Sequence, residues 1–537
     1  GLFGLSAVLD PERVDEVRAA LLEELSKVSV DGVSSQELDK VRKMRLSSYI
    51  GSLSTARGRA SDIGDSWLAC RNPDFSRHYV QLLGRVGPAD LQRVARAYLQ
   101  QDCATAVTVH PKGQGAASAA GATASQRGAI RKHTLANGLR ALVCEDKRLP
   151  LVTVIAAFKG GRLEETPANN GISKLLSRSL VKGTQTRSAE QLAGELEALG
   201  GGISADAGKG SLTVAVSVLR DDLERGLEIL ADVVRNAVFP ESVLAREKEI
   251  QLAGIKAEKE DPFAVAGQVL RRHLLEGHPD GLPALGTPES VAAITRADLV
   301  AFRDRYLVGR NGVLSVFGDV QEAVVVELVQ RHFGGLSAGE EALRDAPRPA
   351  PLEVSRQISE VIERQQSIVM VGYRGVDMVD PDEPALSLLD EACSDLGSRL
   401  FIRIREQLGL AYSVGSSQFC GLTCGTFVFY VATDPIKQTA VLAELQAEIQ
   451  ALATEGLSEQ ELQRAKEKAM GSIDLRKQSP SAFASDCTVD ELFGFGAEHY
   501  LVEREKIRSV TLEQVRAAAA RHLGAQPCIT VVASPVK

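Results

Sequence analysis

The feature that most restricts this 537-residue chain is that part of it overlays on the rest. Shifted so that Gly1 meets Gly425, residues 1–111 run along 425–535 without a gap. Asp10-Pro11 then meets Asp434-Pro435, and Gly32-Val33-Ser34-Ser35-Gln36-Glu37-Leu38 meets Gly456-Leu457-Ser458-Glu459-Gln460-Glu461-Leu462. Further along, Ser61-Asp62 meets Ser485-Asp486, Val86 meets Val510 and Leu99 meets Leu523. Self-similarity at a fixed offset is the mark of a repeated structural unit. The chain therefore reads as one complete module preceded by the tail of another.

Both tails carry one pattern. A strand (2–9; 426–433) leads into a helix after Asp-Pro, with Asp as N-cap and Pro at the first helical position. A Ser then opens a capping box with the Glu three residues on, Ser34/Glu37 in one copy and Ser458/Glu461 in the other. Helical periodicity runs to near Ala97 and Arg521, and a β-rich segment closes each copy (104–109; 529–533). Between the tails the text predicts strands over 139–145 and 151–159 and helices over 171–181 and 188–199. Strands to 218, helices over 221–237 and 240–259, and a last strand over 313–316 follow. Strands grouped apart from helices indicate an α+β layout. The domain reading is 1–112 (an N-terminally truncated second domain), 113–130 (an Ala/Gly/Ser-rich flexible linker), 131–336, 337–356 (a second linker) and 357–537.

Composition removes several classes. Hydrophobic residues at 44% and charged residues at 25% belong to a globular chain. No apolar run is long enough to span a membrane. A net charge of −8 with evenly spread Lys and Arg, and 4% aromatics, speak against a nucleic-acid groove. The eight cysteines form no CxxC and read as unpaired thiols, which leaves the redox compartment undecided. The chain opens on Gly and on strand-like text, with no charged n-region or apolar h-region, so the expectation is that the true start lies upstream.

Two lookalikes fail on chemistry. Gly208-Lys209-Gly210-Ser211 lacks the Ser or Thr that a phosphate loop needs directly after Lys, and reads as a turn. His273 and His278 are five residues apart, on different sides of a helix that Gly277 and Pro279 end, so they read as a helix end and a turn.

The stretch Gly171-Ile172-Ser173-Lys174-Leu175-Leu176-Ser177-Arg178-Ser179-Leu180-Val181-Lys182-Gly183-Thr184 follows a strand ending Gly160-Gly161-Arg162-Leu163-Glu164. With Ala198-Leu199-Gly200-Gly201, Leu285-Gly286-Thr287-Pro288-Glu289-Ser290 and Phe317-Gly318-Asp319-Val320, it resembles the pitrilysin (insulinase) family of zinc metallopeptidases, the inverzincins. The resemblance implies an α+β fold of tandem modules, each of two related domains with an antiparallel-rich sheet packed by helices, closing as a clamshell around a chamber. The family helix reads G-x-x-H-x-x-E-H-x-x-x-x-G-T. Aligned on Gly183-Thr184, the first metal His falls on Lys174, the general-base Glu on Ser177, the second His on Arg178 and the third ligand on Gly254, while Glu247 stays acidic. Two cations and a hydroxyl supply no zinc ligands, so no metal and no catalytic residue is expected in this chain.

The resemblance also implies what remains. Ser398-Arg399-Leu400-Phe401 and Arg405-Glu406-Gln407-Leu408-Gly409-Leu410-Ala411-Tyr412 are similar to the segment with which the zinc-less module of this family reaches the substrate, which assigns substrate binding to Arg405 and Tyr412. Residue placement alone leaves a structural reading open: Arg405 in the last turn of a helix that Gly409 ends, and Tyr412 at the start of a strand. The implied whole is a metalloendopeptidase acting on peptides or unfolded segments, its zinc held by a partner module N-terminal to Gly1, with the bacterial periplasm favoured as compartment. Two alternatives stay open: a catalytically inactive structural or scaffold subunit, and a pseudopeptidase that captures extended peptides by strand addition.

Overall fold

The computed structural model describes residues 3–5, 7, 13–35, 37–38, 41–42, 56–99, 127–148, 150–199, 201–342, 348–524 and 526–535. They divide into two units, Gly1–Ala124 and Ser125–Lys537. The first unit holds α1 (Val14–Val30), α2 (Ala56–Cys70), α3 (Phe75–Leu83) and α4 (Pro88–Tyr98).

The second unit contains two sheets, each with its own helices. Its first half runs β1 (Arg131–Thr134), β2 (Arg140–Glu145), β3 (Leu151–Lys159), α5 (Ile172–Leu180), α6 (Ala189–Ala198), β4 (Gly202–Ala207), β5 (Ser211–Leu219), α7 (Leu223–Asn236), α8 (Glu241–Glu258), α9 (Pro262–Leu274), α10 (Pro288–Ala293), α11 (Arg296–Tyr306), β6 (Gly312–Gly318) and α12 (Glu322–Phe333). Its second half runs β7 (Arg356–Val361), β8 (Ser367–Gly375), α13 (Glu383–Cys393), a π-helical turn Phe401–Gln407, β9 (Ser413–Cys420), β10 (Gly425–Thr433), α14 (Gln438–Glu455), α15 (Glu459–Gln478), α16 (Pro480–Phe493), α17 (Tyr500–Ser509), α18 (Leu512–Ala519) and β11 (Cys528–Ser534).

The sheets have one plan. The first is ordered β1-β2-β6-β3-β5-β4 and the second β7-β11-β8-β10-β9. In each, one parallel pair (β2 with β6, β7 with β11) is followed by antiparallel neighbours. Apart from β1, the two halves match strand for strand in order and direction. They are related domains.

The central strands of each sheet are buried on both faces, and the two halves exchange helices to achieve it. On β3, Val152, Val154, Ala156 and Phe158 enter the core formed with the first half's own helices. Ile155 and Ala157 point the other way and pack with Phe483, Ala484, Cys487 and Leu492 of α16, from the second half. Reciprocally, Ile368 and Met370 of β8 meet Ala266, Val269, Leu270 and Leu274 of α9, from the first half. A Cβ on Gly372 would lie 2.9 Å from the Leu270 methyls, so glycine permits that approach. The two helices start alike, each with a capping side chain followed by Pro at its first position: Asp261-Pro262 and Ser479-Pro480. Strands buried on both faces read as continuous apolar runs rather than alternations, as 151–159 does.

The repeat holds helix for helix. Moved by the same offset, α1, α2, α3 and α4 fall on α14, α16, α17 and α18. Both capping boxes form. The Ser34 amide donates to Glu37 at 2.8 Å and the Glu37 amide back to Ser34 Oγ at 3.2 Å; the Ser458/Glu461 values are 2.8 and 3.3 Å. Gly32 and Gly456 both take positive φ, +77° and +76°. Gln92 donates to the Val30 carbonyl at 2.7 Å, and its counterpart Arg516 donates to the Thr454 carbonyl at 3.1 Å.

Some expectations change. The described residues of 2–9 form no strand, and Phe3 and Leu5 are exposed, whereas the counterpart β10 is a strand inside the second sheet. A strand needs neighbours to pair with, and the described part of the first unit offers none. The Asp10-Pro11 cap, the 104–109 segment and Cys103 lie outside the described residues, as does most of 113–130; the other seven cysteines are thiols. The start of 337–356 is pinned rather than free: the Gly309 and Arg310 amides donate to the Ser337 and Ala338 carbonyls, and the Ala342 amide donates to Asn311.

Glu461 ties the second capping box to Arg399, whose fork donates to both its carboxylate oxygens at 2.8 and 2.7 Å. Burial alone would raise the Glu461 carboxyl; Arg399 and Ser458 outweigh it and hold the carboxyl down to about 2. A carboxyl depressed in the fold contributes stability that is complete above its unfolded value and is lost as pH falls towards 2. Glu461→Gln should cost about 2 kcal/mol in neutral denaturant titrations, and the penalty should shrink as pH falls from about 4.5 towards 2.

Candidate functional site

The helix that resembles a metal helix begins under constraint. Gly171 has φ +92°, and a Cβ there would lie 2.6 Å from the Leu285 carbonyl oxygen. Ahead of it the buried Glu165 carboxylate accepts hydrogen bonds from the Gly171 and Ser173 amides (2.8 and 3.0 Å), from Asn170 Nδ2 (2.7 Å) and from the Ser173 hydroxyl. A carboxylate there satisfies orphan amides and suits the positive end of the helix dipole. Gln251 of α8 donates to the Gly171 and Leu285 carbonyls at 3.0 and 2.8 Å, fastening α8 to the same end.

On this frame each assigned position is engaged in protein contacts. Lys174 pairs with Asp206 of β4 at 2.6 Å. Ser177 is buried and its hydroxyl donates to the Lys174 carbonyl at 2.9 Å, within its own helix. Arg178 donates through Nε and Nη2 to one oxygen of Glu247 at 3.0 and 2.9 Å, and Lys182 stands 3.9 Å from the other oxygen. Glu247 is only 4% exposed. Gly254 lies two turns further along α8 and offers no side chain; an added Cβ would face Leu285. The acid that meets position 178 is therefore Glu247.

Zinc requires donor lone pairs from neutral imidazole, thiolate or carboxylate. Lys174 and Arg178 have none, and the remaining carboxylate is occupied by a guanidinium. These residues do not fit a zinc ion. Glu247→Ala should strand Arg178 and Lys182 and destabilise the fold by about 3 kcal/mol, while the double change Arg178→Met/Glu247→Leu should recover most of that loss in thermal unfolding.

The Arg405/Tyr412 segment lies on the second half. Arg405 belongs to the π-helical turn, with its guanidinium 4.8 Å above the Phe401 ring. Gly409 takes φ +60°, its amide bonds to the Arg405 carbonyl at 3.2 Å, and the Leu410 amide bonds to Ile404 at 3.0 Å, closing the turn in a left-handed cap. The Tyr412 amide pairs with the Ala432 carbonyl of β10 at 2.8 Å, one residue before β9. Both side chains are exposed, Tyr412 at 53%, and among the described residues neither polar head has a hydrogen-bond partner. Arg399, by contrast, is consumed by Glu461. π-Turns are rare and recur at functional sites.

Where the two halves meet, the structure assembles a cluster that sequence reasoning missed. The β4–β5 turn carrying Lys209 faces the β9–β10 turn; a Cβ on Gly210 would lie 2.9 Å from Leu422, and the Lys209 ammonium sits over the Phe419 ring. Beside them, Arg162 donates to Asp280 at 2.9 Å, His278 Nε2 lies 3.1 Å from Thr423 Oγ1, and Cys424 Sγ stands 3.8 Å from both His278 Nδ1 and Asp280 Oδ2. His278, Asp280 and Cys424 are all buried and close enough together to suggest a metal. The donors are already committed, however: His278 Nδ1 accepts the Asp280 amide at 3.1 Å, and Asp280 carries the Arg162 ion pair. Arg271 and Lys209 add positive charge around them. The arrangement is that of a polar latch between halves. The two motif lookalikes, 208–211 and 273–278, both end in it; only proximity in the fold connects them.

Burial, with Arg162 and Arg271 adding to it and Asp280 opposing, pulls the Lys209 ammonium down to about 7. Burial, reinforced by Asp280, pushes the Cys424 thiol up to about 12. Because the amine's value is lowered in the fold, the unfolded chain binds more protons between about 7 and its ordinary value, and stability rises with pH across that window. Lys209→Met should raise Tm at pH 7, and the difference from the parent protein should narrow towards pH 9.

The fold and this helix define a metallopeptidase-type module, with an ion pair rather than a zinc ligand set on the helix. The family description "Insulinase (Peptidase family M16)" matches residues 141–287, and "Peptidase M16 inactive domain" matches 293–469. An uncharacterised zinc protease of Mycobacterium leprae is 31% identical over 417 residues, covering 76% of this chain and 92% of that protein. The uncharacterised zinc protease YmxG of Bacillus subtilis is 27% identical, covering 73% and 95%. A peptidase M16 inactive domain from Pseudomonas fluorescens superposes with a TM-score of 0.71 at 25% identity, covering 76% of this chain and 98% of that one. The periplasmic protease PqqL of Escherichia coli superposes at 0.66 and 17% identity over 98% of this chain, but only 64% of its own. This chain belongs to the M16 (pitrilysin/insulinase) peptidase family.

Proposed function

We propose that this chain is the zinc-less part of an M16 endopeptidase that cleaves peptides or unfolded segments in an enclosed chamber. Its own metal helix holds an ion pair, while Arg405 and Tyr412 remain exposed and unbonded; that contrast carries the reading. A guanidinium suits substrate carbonyl oxygens, and a phenol can donate to the oxyanion that forms as a peptide carbonyl is attacked. Zinc belongs, in this reading, to a module upstream of Gly1. The first unit supports that placement, because it repeats the tail of the second module helix for helix. The alignment with PqqL supports it too, since nearly all of this chain covers about two thirds of that longer protein. A periplasmic location is the compartment we favour on the same likeness. No helix among the described residues is long and apolar enough to cross a membrane.

The test uses the protein expressed from the gene extended upstream. Tyr412→Phe should lower kcat/KM on an unstructured peptide by about 100-fold, the scale of losing one oxyanion donor, with Arg405→Ala acting mainly on KM. The 537-residue chain alone should not hydrolyse the peptide. No turnover by the extended protein would instead identify a scaffold, unchanged turnover in both variants would remove Arg405 and Tyr412 from the substrate site, and hydrolysis by the chain alone that 1,10-phenanthroline abolishes would overturn the assignment.

A further inference from the structure

The seam between the two halves of the second unit carries more positive charge than its own acids offset. Three cations lie around one buried carboxylate, Asp280. They are Arg162 of the turn Gly161–Glu164, Lys209 of the β4–β5 turn and Arg271 in the last turn of α9. Arg162 is 7% exposed and gives Asp280 one hydrogen bond, through Nη2 at 2.9 Å. Its Nε is buried with no partner among the described residues. Lys209 and Arg271 are half-buried, and neither side chain makes a hydrogen bond or an ion pair with the described residues. The Lys209 ammonium has only the face of Phe419.

The other ionisable groups of the seam do not close this balance. Arg374, beside Cys424, adds a cation whose Nε donates to the Leu274 carbonyl at 2.8 Å. Glu258 adds an acid near Arg271, but burial raises its carboxyl despite that guanidinium. Cys424 stays a thiol, and His278 accepts the Asp280 amide through Nδ1, as a neutral ring does. A guanidinium cannot shed its proton, and leaving a buried charged donor unmatched is costly. Burial and the neighbouring cations already pull Lys209 and Arg271 below their ordinary values.

We propose that Arg162, Lys209 and Arg271 form a binding site for one tetrahedral oxyanion, free inorganic sulfate or phosphate, at the seam between the halves. Four cations less two acids leave a surplus of two charges, which such a dianion matches. Guanidinium donors suit the paired oxygens of an oxyanion, and an ammonium adds a compact charge. Lys209 and Arg271 are partly open to solvent and mark the side of entry. The turns beside them pack closely, since a Cβ on Gly210 would lie 2.9 Å from Leu422. That favours a bare ion over a phosphate carrying a nucleoside. Arg162 and Lys209 belong to turns of the first sheet, whereas Arg271 lies on α9, which is seated on the second. The anion therefore fastens one half to the other. Neither the site nor its test depends on the upstream module.

The 537-residue chain is unfolded thermally at pH 7, with sulfate or phosphate replacing chloride at constant ionic strength. Tm should rise and level off, giving one apparent Kd. Lys209→Met and Arg271→Met leave the Arg162–Asp280 pair intact and should each weaken that Kd at least about tenfold, the scale of losing one charge-assisted hydrogen bond. The exposed control Arg508→Met should not change it. Calorimetric titration of the folded chain gives the same Kd without unfolding, and so reads a variant whose Tm is already low. A rise that never levels off and is equal in every variant would be the general salting effect of these ions and would overturn the proposal. So would saturable binding that survives both substitutions, or no binding at all, which would leave water at the Arg162 Nε. Tighter binding of AMP than of phosphate would overturn the assignment to a bare ion.

Discussion

The exchange of α9 and α16 between the two sheets is the constraint on which the rest of the second unit depends. A sheet covered by helices on one side only would leave Leu142, Ile155, Ala157, Val313 and Phe317 in water on the other. Each half resolves this by giving up a helix, so neither sheet is fully covered without the other half. The related sheet plans then bring equivalent hairpin turns, β4–β5 and β9–β10, face to face, where the packing leaves space only for Gly210 against Leu422. A polar latch of Arg162, Lys209, His278, Asp280 and Cys424 has formed at that meeting point.

The same frame holds in place a helix that resembles a metal helix while its side chains form ion pairs. Glu165 and Gln251 hold the start of α5 through backbone groups, and they work whichever side chains follow. Lys174 and Arg178 bring charge to this helix, and each charge has a partner. Lys174 found Asp206, and Arg178 found Glu247. A cation thus faces the buried acid of α8 in protein form, and the helix stays where it is. Arg405 and Tyr412 obey a different logic: their backbone is tightly tied by a left-handed cap and a strand hydrogen bond, while their polar heads are left to solvent.

Much of this was legible in the sequence where local chemistry decides the outcome. The capping boxes at Ser34 and Ser458, the strand over 151–159, the helix over 171–181 and the left-handed Gly409 all appear as read, because each is set by residues within one turn or one strand. The repeat was legible as well, and the structure extends it to matching hydrogen bonds. What the sequence hid is tertiary. The latch draws on residues 162, 209, 278, 280 and 424, none of which signals the others. The helix exchange depends on which apolar face meets which sheet, and the described residues of 2–9 form no strand because the described part of the first unit offers none to pair with. Gly254 and Glu247 lie on one helix face, and only the fold shows which of them reaches position 178.

The central claim is that position 178 holds a guanidinium–carboxylate pair and that this helix therefore offers no zinc ligands. Metal analysis of the purified 537-residue chain, dialysed against zinc and then against buffer, tests it most directly. The account predicts no stoichiometric zinc, the His278/Asp280/Cys424 cluster included. One zinc per chain, retained through dialysis and lost with Glu247→Ala, would contradict it.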